Sequence, residues 1–235
     1  MSIYRFKTID STMFEASRMA DAGAPSGTTV VAEEQTAGYG RYGRPWHSEP
    51  EAGLYLSVIL RFPFAPDTLP IVTLALGLAV VEAIGATTGI VCDLRWPNDV
   101  LVGNRKCAGI LTQLEGAAVI AGIGINVNHA AFPPDLTDVA TSLRIASGRP
   151  HSREDLLQAL LPAVDSCCGL LAGEGKEPIL DMFTNASSYV RGRRVCIDDK
   201  LEGITAGLNE SGFLLLRDDT GKQHTILAGG VRPCA

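Results

Sequence analysis

Positive charge is scarce in this 235-residue chain: 20 lysines and arginines against 26 acids leave a net charge of −6. A broad electrostatic footprint for nucleic acid is therefore excluded, and any phosphate must be met locally by a few arginines. Cysteines lack pattern. Cys92, Cys107, Cys167, Cys168, Cys196 and Cys234 show neither metal-ligand spacing nor a disulfide framework, and are expected as reduced thiols in a cytoplasmic protein. His47, His129, His151 and His224 show no metal spacing either and are expected in structural or solvent-facing roles. No signal peptide is read in Met1–Lys7. The longest apolar stretch, Leu69 to Ile84, is interrupted by Thr73, Gly77 and Glu82. It reads as too short to span a bilayer and as a buried helix, so no membrane partner is expected. Internal repeats and low-complexity segments are absent. No Gly-Lys-Ser/Thr completes a Walker A loop, and Pro45 and Trp46 stand where a dinucleotide fingerprint needs a helix to begin.

What is present is the composition of a globular protein, 46% hydrophobic and 20% charged, which is enough to bury a core. Val30–Glu33 and Leu54–Leu60 read as strands, the second ended by Pro63 and Pro66. A helix is expected over about Pro70–Ala86. Strands follow at Val91–Trp96, Val100–Val102, Ala108–Leu114 and Val119–Ile125, with Gly103-Asn104 as a hairpin turn. Ser152 caps a helix to about Leu171, and Gly173-Glu174-Gly175 breaks it from a shorter one. The order predicts an α+β fold, a mixed sheet packed with helices. Beyond Tyr189, short strands at Val195–Ile197, Glu202–Ala206, Phe213–Leu216 and His224–Leu227 predict a small β-barrel. The expected domains are residues 1–188 and 189–235.

Two segments carry the chemistry. Gly38-Tyr39-Gly40-Arg41-Tyr42-Gly43-Arg44-Pro45-Trp46 combines glycines that let backbone approach a ligand, arginines for phosphate and a tryptophan face for a ring. Arg95-Trp96-Pro97-Asn98-Asp99 precedes Arg105-Lys106-Cys107-Ala108-Gly109-Ile110-Leu111. Asn98-Asp99 could hold a hydrated magnesium ion or a phosphate oxygen. Lys106, at the start of an apolar strand, is costly there unless its ammonium has a partner. Together they suit a site that brings a nucleotide against a second anion.

In these motifs the chain resembles the catalytic core of biotin protein ligases, in the superfamily that includes lipoate ligases and octanoyltransferases. The family signature reads Gly-Arg-Gly-Arg-x-Gly-Arg-x-Trp, Lys-Trp-Pro-Asn-Asp, Arg-Lys-x-Ala-Gly-Ile-Leu and Gly-x-Gly-Ile-Asn. All four have counterparts here in order, the last as Gly122-Ile123-Gly124-Ile125-Asn126. Asp10-Ser11-Thr12 and Thr141-Ser142-Leu143 fit as well, and the C-terminal strands resemble the family's SH3-like domain. The resemblance implies the biotin ligase and class II synthetase-like fold. It also implies adenylation of biotin by ATP with Mg2+, then transfer to a lysine on the biotin carrier domain of a biotin-dependent carboxylase.

Carried over by position, Ser11, Thr12, Gln35, Gly38, Tyr39, Gly40, Arg41, Lys106 and Gly109 line the biotin side. Arg44, Trp46, Arg95, Asn98 and Asn126 face the nucleotide, with Mg2+ near Asn98 held by ATP and not by a protein cage. Lys106 and Arg41 are the expected catalytic residues. The helix-turn-helix of the ligases that double as repressors has no counterpart, which adds to the expectation of no nucleic acid. A homodimer or a docked carrier domain could pair with an exposed sheet edge.

Three positions depart from the pattern: Tyr39 replaces an arginine, Arg95 a lysine, and Met13 the asparagine after Ser-Thr. Losing one charge-assisted bond at Tyr39 is worth about 1.5–3 kcal/mol, enough to weaken a ligase without abolishing it. A shift to lipoate or octanoate, or a non-catalytic binder of biotin or nucleotide, stays open at this point.

Overall fold

The computed structural model describes residues 2–62 and 66–234; Pro63, expected to end the second strand, lies outside them. Strands β1 (Ile3–Ile9), β2 (Thr29–Gln35), β3 (Gly53–Leu60), β4 (Asp93–Arg95), β5 (Asp99–Val102), β6 (Arg105–Glu115) and β7 (Ala118–Asn126) form one mixed sheet. Its order is β1-β2-β3-β7-β6-β5-β4, with β1 and β2 parallel and the other pairs antiparallel. Helix α1 (Thr12–Asp21) follows β1, and α2 (Leu69–Thr88) follows β3. Helices α3 (Leu143–Ser147), α4 (Arg153–Glu174) and α5 (Lys176–Ala186) follow β7. Strands β8 (Arg191–Ile197), β9 (Leu201–Leu208), β10 (Leu214–Arg217), β11 (Gln223–Ile226) and β12 (Val231–Pro233) make a second, antiparallel sheet, β11-β10-β9-β8-β12. The expected α+β class and the mixed sheet with helices are what the fold shows.

Alternation along β3 divides the two faces of the large sheet. Leu54, Leu56, Val58 and Leu60 pack into the main core with α2 and α4, whereas Ile59 joins Met13, Ala16 and Ala20 of α1. Tyr55 and Ser57 share the α1 face with Gly124 and Gly122, their partners in register on β7. The α2 face is therefore the main apolar core, and the glycines lie on the α1 face, Gly122 beneath Met13 and Gly124 beneath Trp46.

Several expectations needed adjustment. Strands β1 and β12 and helices α1 and α3 were not anticipated. Strand β4 is shorter than Val91–Trp96, and β6 starts three residues before Ala108, which places Lys106 inside the strand. Helix α4 runs through Gly173 and Glu174, and the break falls at Gly175 (φ 86°). Helix α2 extends to Thr88, and by length and composition α2 and α4 could each cross a membrane. In the fold they pack on each other, α2 against the sheet, and 67% of the most apolar stretch of α2 is buried.

Candidate functional site

Ser11 caps α1 by accepting from the Met13 N–H at 3.2 Å, which fixes Thr12 at the helix start. The Thr12 N–H and hydroxyl both donate to Gln35 Oε1, at 2.8 and 3.0 Å. Ser57 Oγ donates to Thr12 Oγ1 at 2.8 Å, and Gln35 Nε2 donates to Ser48 Oγ at 3.2 Å. A polar chain, Ser57–Thr12–Gln35–Ser48, thus borders the glycine floor. Ser57 and Ser48 were not anticipated. A lone small polar residue inside the apolar run Leu54–Leu60 was the available signal for Ser57; nothing in the sequence marks Ser48.

The glycine–arginine loop folds back on itself, with the Trp46 N–H on the Gly38 carbonyl at 2.9 Å and the Gly40 N–H on the Arg44 carbonyl at 2.8 Å. Its reach delivers Trp46 onto the floor. A Cβ at Gly124 would stand 2.6 Å from Trp46 Cε2, and one at Gly109 would stand 3.1 Å from Cζ3. These glycines are partners across β6 and β7, so together they make room for one indole. Trp46 Nε1 is buried without a hydrogen-bond partner, a donor left for something else.

Lys106 Nζ lies 5.2 Å from the Trp46 ring centroid and 2.5 Å from Asp99 Oδ1. Arg95 Nη2 takes the other carboxylate oxygen at 2.7 Å. A bulge after Val100 sets Asp99 opposite Gly109. The missing side chain of Gly109 is what lets the Lys106 chain cross, since its Nζ lies 2.8 Å from where that Cβ would be. The segment after β7 braces the lysine backbone: the Lys106 N–H bonds the Val139 carbonyl, and its carbonyl accepts from Thr141 N–H. Asn126, buried, donates to the Thr141 carbonyl at 3.1 Å.

Burial by itself would raise the Asp99 carboxyl, but Lys106 and then Arg95 overcome it and hold the group below its ordinary 3.8. This lowered value stabilises the fold above about pH 3.8, and the contribution is lost as pH falls through the folded-state value. Asp99→Asn is expected to cost about 1–3 kcal/mol at pH 7 by leaving two cations without their carboxylate. Below pH 3.8 the gap to the native protein should narrow. Urea unfolding of both proteins at a series of pH values checks this; a gap independent of pH would reject the role of the ion pair. Asp99, considered for magnesium, is thus already committed to two cations.

Arg41 Nη1 donates to Asn98 Oδ1 at 3.2 Å and to the Gly229 carbonyl at 3.3 Å. Tyr42, in a left-handed conformation (φ 60°), gathers both loop arginines, with Arg41 and Arg44 5.0 and 5.8 Å above its ring. Tyr42 had no assigned role. Arg44 stays exposed and makes no side-chain ion pair or hydrogen bond among the described residues. Tyr39 packs on Phe14 at 5.2 Å and donates to Gln113 Oε1 at 3.2 Å. A cleft of about 340 Å3 opens beside Arg41, Asn98 and Ile110–Gln113, lined also by Phe213 and Leu227, which flank β10 and β11.

The structure thus gathers Ser11, Thr12, Gln35 and Gly38 at one end of the floor and Trp46, Lys106, Gly109, Arg95 and Asn126 toward the other. Arg41 and Asn98 meet at the cleft, and Gly40 stays in the loop backbone.

Residues 5–129 match the biotin/lipoate A/B protein ligase family, and residues 192–231 match the biotin protein ligase C terminal domain. The chain is 38% identical over 225 residues to the bifunctional ligase/repressor BirA of Bacillus spizizenii, covering 91% of this chain and 68% of that protein. It is 31% identical to the biotin–[acetyl-CoA-carboxylase] ligase of Paracoccus denitrificans, covering 91% and 93%. Among solved structures, the biotin protein ligase of Aquifex aeolicus in complex with biotin and ATP superposes with a TM-score of 0.86 at 31% identity, over 98% of this chain and 97% of that one.

Proposed function

Since the chain belongs to the biotin/lipoate A/B protein ligase family, we propose that it joins biotin to a lysine of a biotin carrier domain, such as that of acetyl-CoA carboxylase, at the expense of ATP. A biotin carboxylate oxygen attacks the α-phosphorus, a P–O bond forms, and the α–β anhydride bond breaks to release pyrophosphate. The neutral amine of the carrier lysine then attacks the acyl carbon; a C–N bond forms, AMP leaves with the C–O electron pair, and the amine proton passes to solvent.

The observation that carries this reading is the placement of one cation, Lys106, over the ring of Trp46 at the end of a glycine floor. The polar chain from Ser57 to Ser48 suits the ureido ring, because its hydroxyls and amide can donate and accept. Lys106 and Arg41 then steer the carboxylate and the phosphate. Two like charges 4 Å apart repel by about 1 kcal/mol in water but about 4 kcal/mol at the effective dielectric of a protein site, so cations between the two anions decide whether they meet. Trp46 offers its ring to adenine, with Asn98, Asn126, Arg95 and Arg44 on the nucleotide side.

Magnesium fits as a companion of ATP. Asn98 offers the remaining lone pair of an amide oxygen that already accepts from Arg41, whereas the neighbouring Asp99 carboxylate is committed to Lys106 and Arg95. That donor set suits an ion held mainly by phosphate oxygens and water. When bound, such an ion withdraws charge from the phosphate under attack.

The proposed division is a catalytic domain, 1–188, and a barrel domain, 189–235, supported by the two separate sheets. The proposed compartment is the cytoplasm, with the cysteines free. Net charge of −6 supports a partner other than nucleic acid. Strand β1, an edge of the large sheet with Ile3 and Tyr4 exposed, is the proposed place for a carrier domain or a second copy to pair.

The test is mass spectrometry of the protein incubated with ATP, magnesium and biotin, with lipoate and octanoate in parallel. The expected result is biotinyl-adenylate that disappears when a biotin carrier domain is added. Adenylate from lipoate or octanoate alone would instead assign those acids, and ligand binding without any adenylate would assign a non-catalytic binder.

A further inference from the structure

His47 and His129, far apart in sequence, meet at the end of the Trp46 loop. Their ring centroids are 5.7 Å apart, and the ligand atoms of His47, Glu49 and His129 all lie within 4.8 Å of one another. The hydrogen bonds around His129 fix its tautomer. The Tyr55 hydroxyl has one proton and donates it to the Glu49 carbonyl at 3.0 Å. His129 Nε2, 3.2 Å from the same oxygen, must therefore be the donor to it, and Nδ1 keeps a bare lone pair.

That Nδ1 is buried in a fully buried side chain and has no partner. Leaving such a group unsatisfied is costly, and a buried polar atom without a partner calls for an occupant. A neutral imidazole with one nitrogen oriented by a hydroxyl and the other bare is the arrangement by which proteins present histidine to metals.

We propose that His47, Glu49 and His129 form a binding site for a zinc-class divalent cation. Two imidazoles and one carboxylate are a nitrogen-rich set that favours zinc over magnesium, with a fourth position left to water. Tetrahedral bonds of about 2.0–2.1 Å need ligand atoms roughly 3.3 Å apart. The set must therefore contract, and His47 and Glu49, with side chains 35% and 48% exposed on a loop, are the members free to close on His129. An ion there would tie the loop that carries Trp46 to the end of β7.

The site requires neither biotin nor ATP, so its test is separate from that of the ligase reading. Full-length protein freed of metal with a chelator is titrated with zinc by calorimetry, and the thermal unfolding midpoint is read with and without zinc. The expected result is one equivalent per chain, a raised midpoint, at least tenfold weaker binding in each of H47A and E49Q, and no competition from millimolar magnesium. H47A and E49Q alter exposed side chains and leave the buried His129 in place. A cobalt-loaded sample separates these ligands from thiols, because cysteine ligation adds an intense near-ultraviolet charge-transfer band. Absence of saturable binding, native affinity retained in either variant, or that thiolate band would each overturn the assignment.

Discussion

Lys106→Ala is expected to lower the rate of biotinyl-adenylate formation by about 10²–10³-fold, the scale on which a single aimed donor at a reacting anion is worth. Lys106 is the cation nearest the Trp46 ring, where the proposed reading brings the carboxylate and the α-phosphate together. Its ammonium rests on Asp99, so it is held and oriented before the substrate arrives. Removing it does not strand the carboxylate, because Arg95 holds Asp99 through Nε at 3.3 Å and Nη2 at 2.7 Å. The variant should therefore stay folded, and the loss should appear in chemistry. The check is pyrophosphate release at saturating biotin and ATP, with the unfolding midpoint measured alongside. A rate within about threefold of the native one, in a folded variant, would remove Lys106 from the mechanism.

Trp96→Ala is expected to destabilise the protein by about 3–5 kcal/mol, the cost of truncating a large buried aromatic. Trp96 is 3% exposed within the main core, and its Nε1–H donates to the Gly212 carbonyl at 2.9 Å, from the β4–β5 turn of the large sheet to the turn before β10. Trp96→Phe separates the two contributions. It retains most of the apolar contact but leaves that carbonyl without its donor, for about 1–3 kcal/mol. Urea unfolding of the three proteins gives both numbers. If Trp96→Ala unfolds within about 1 kcal/mol of native, the tie between the sheets lies elsewhere.

The elements read most easily from sequence were those with strong local signals. Strand β3 is a continuous apolar run, β5 and β6 are joined by Gly103-Asn104, and α2 begins beside Pro70 and ends at Gly89 in a left-handed conformation (φ 74°). Strand β1 was missed because as an edge it exposes nearly every side chain, so no buried stripe marks it. Helix α1 was missed although Ser11 is an ordinary N-cap, because its buried positions, Thr12, Met13, Ala16 and Ala20, make only a weak apolar stripe. The motifs pointed to Lys106, Trp46 and Gly109, but the ion pair with Asp99 depends on a bulge. A two-residue turn alone would set Asp99 opposite Ala108, whereas the extra residue sets it opposite Gly109, and bulges of this kind leave little trace in sequence. The approach of His47 to His129 is likewise a product of how the loop returns over β7.

The partners of Asp99 have a further consequence. Two cations share one anion, so the resting cluster sums to +1. One incoming monoanion brings that sum to zero, and the lysine can turn toward it while the arginine stays behind. A ligand with the same bicyclic ring but an amide or ester in place of the acid leaves the surplus charge unanswered. The protein should therefore reject biotinamide and biotin methyl ester before any chemistry begins, sorting its substrates by charge as well as by shape.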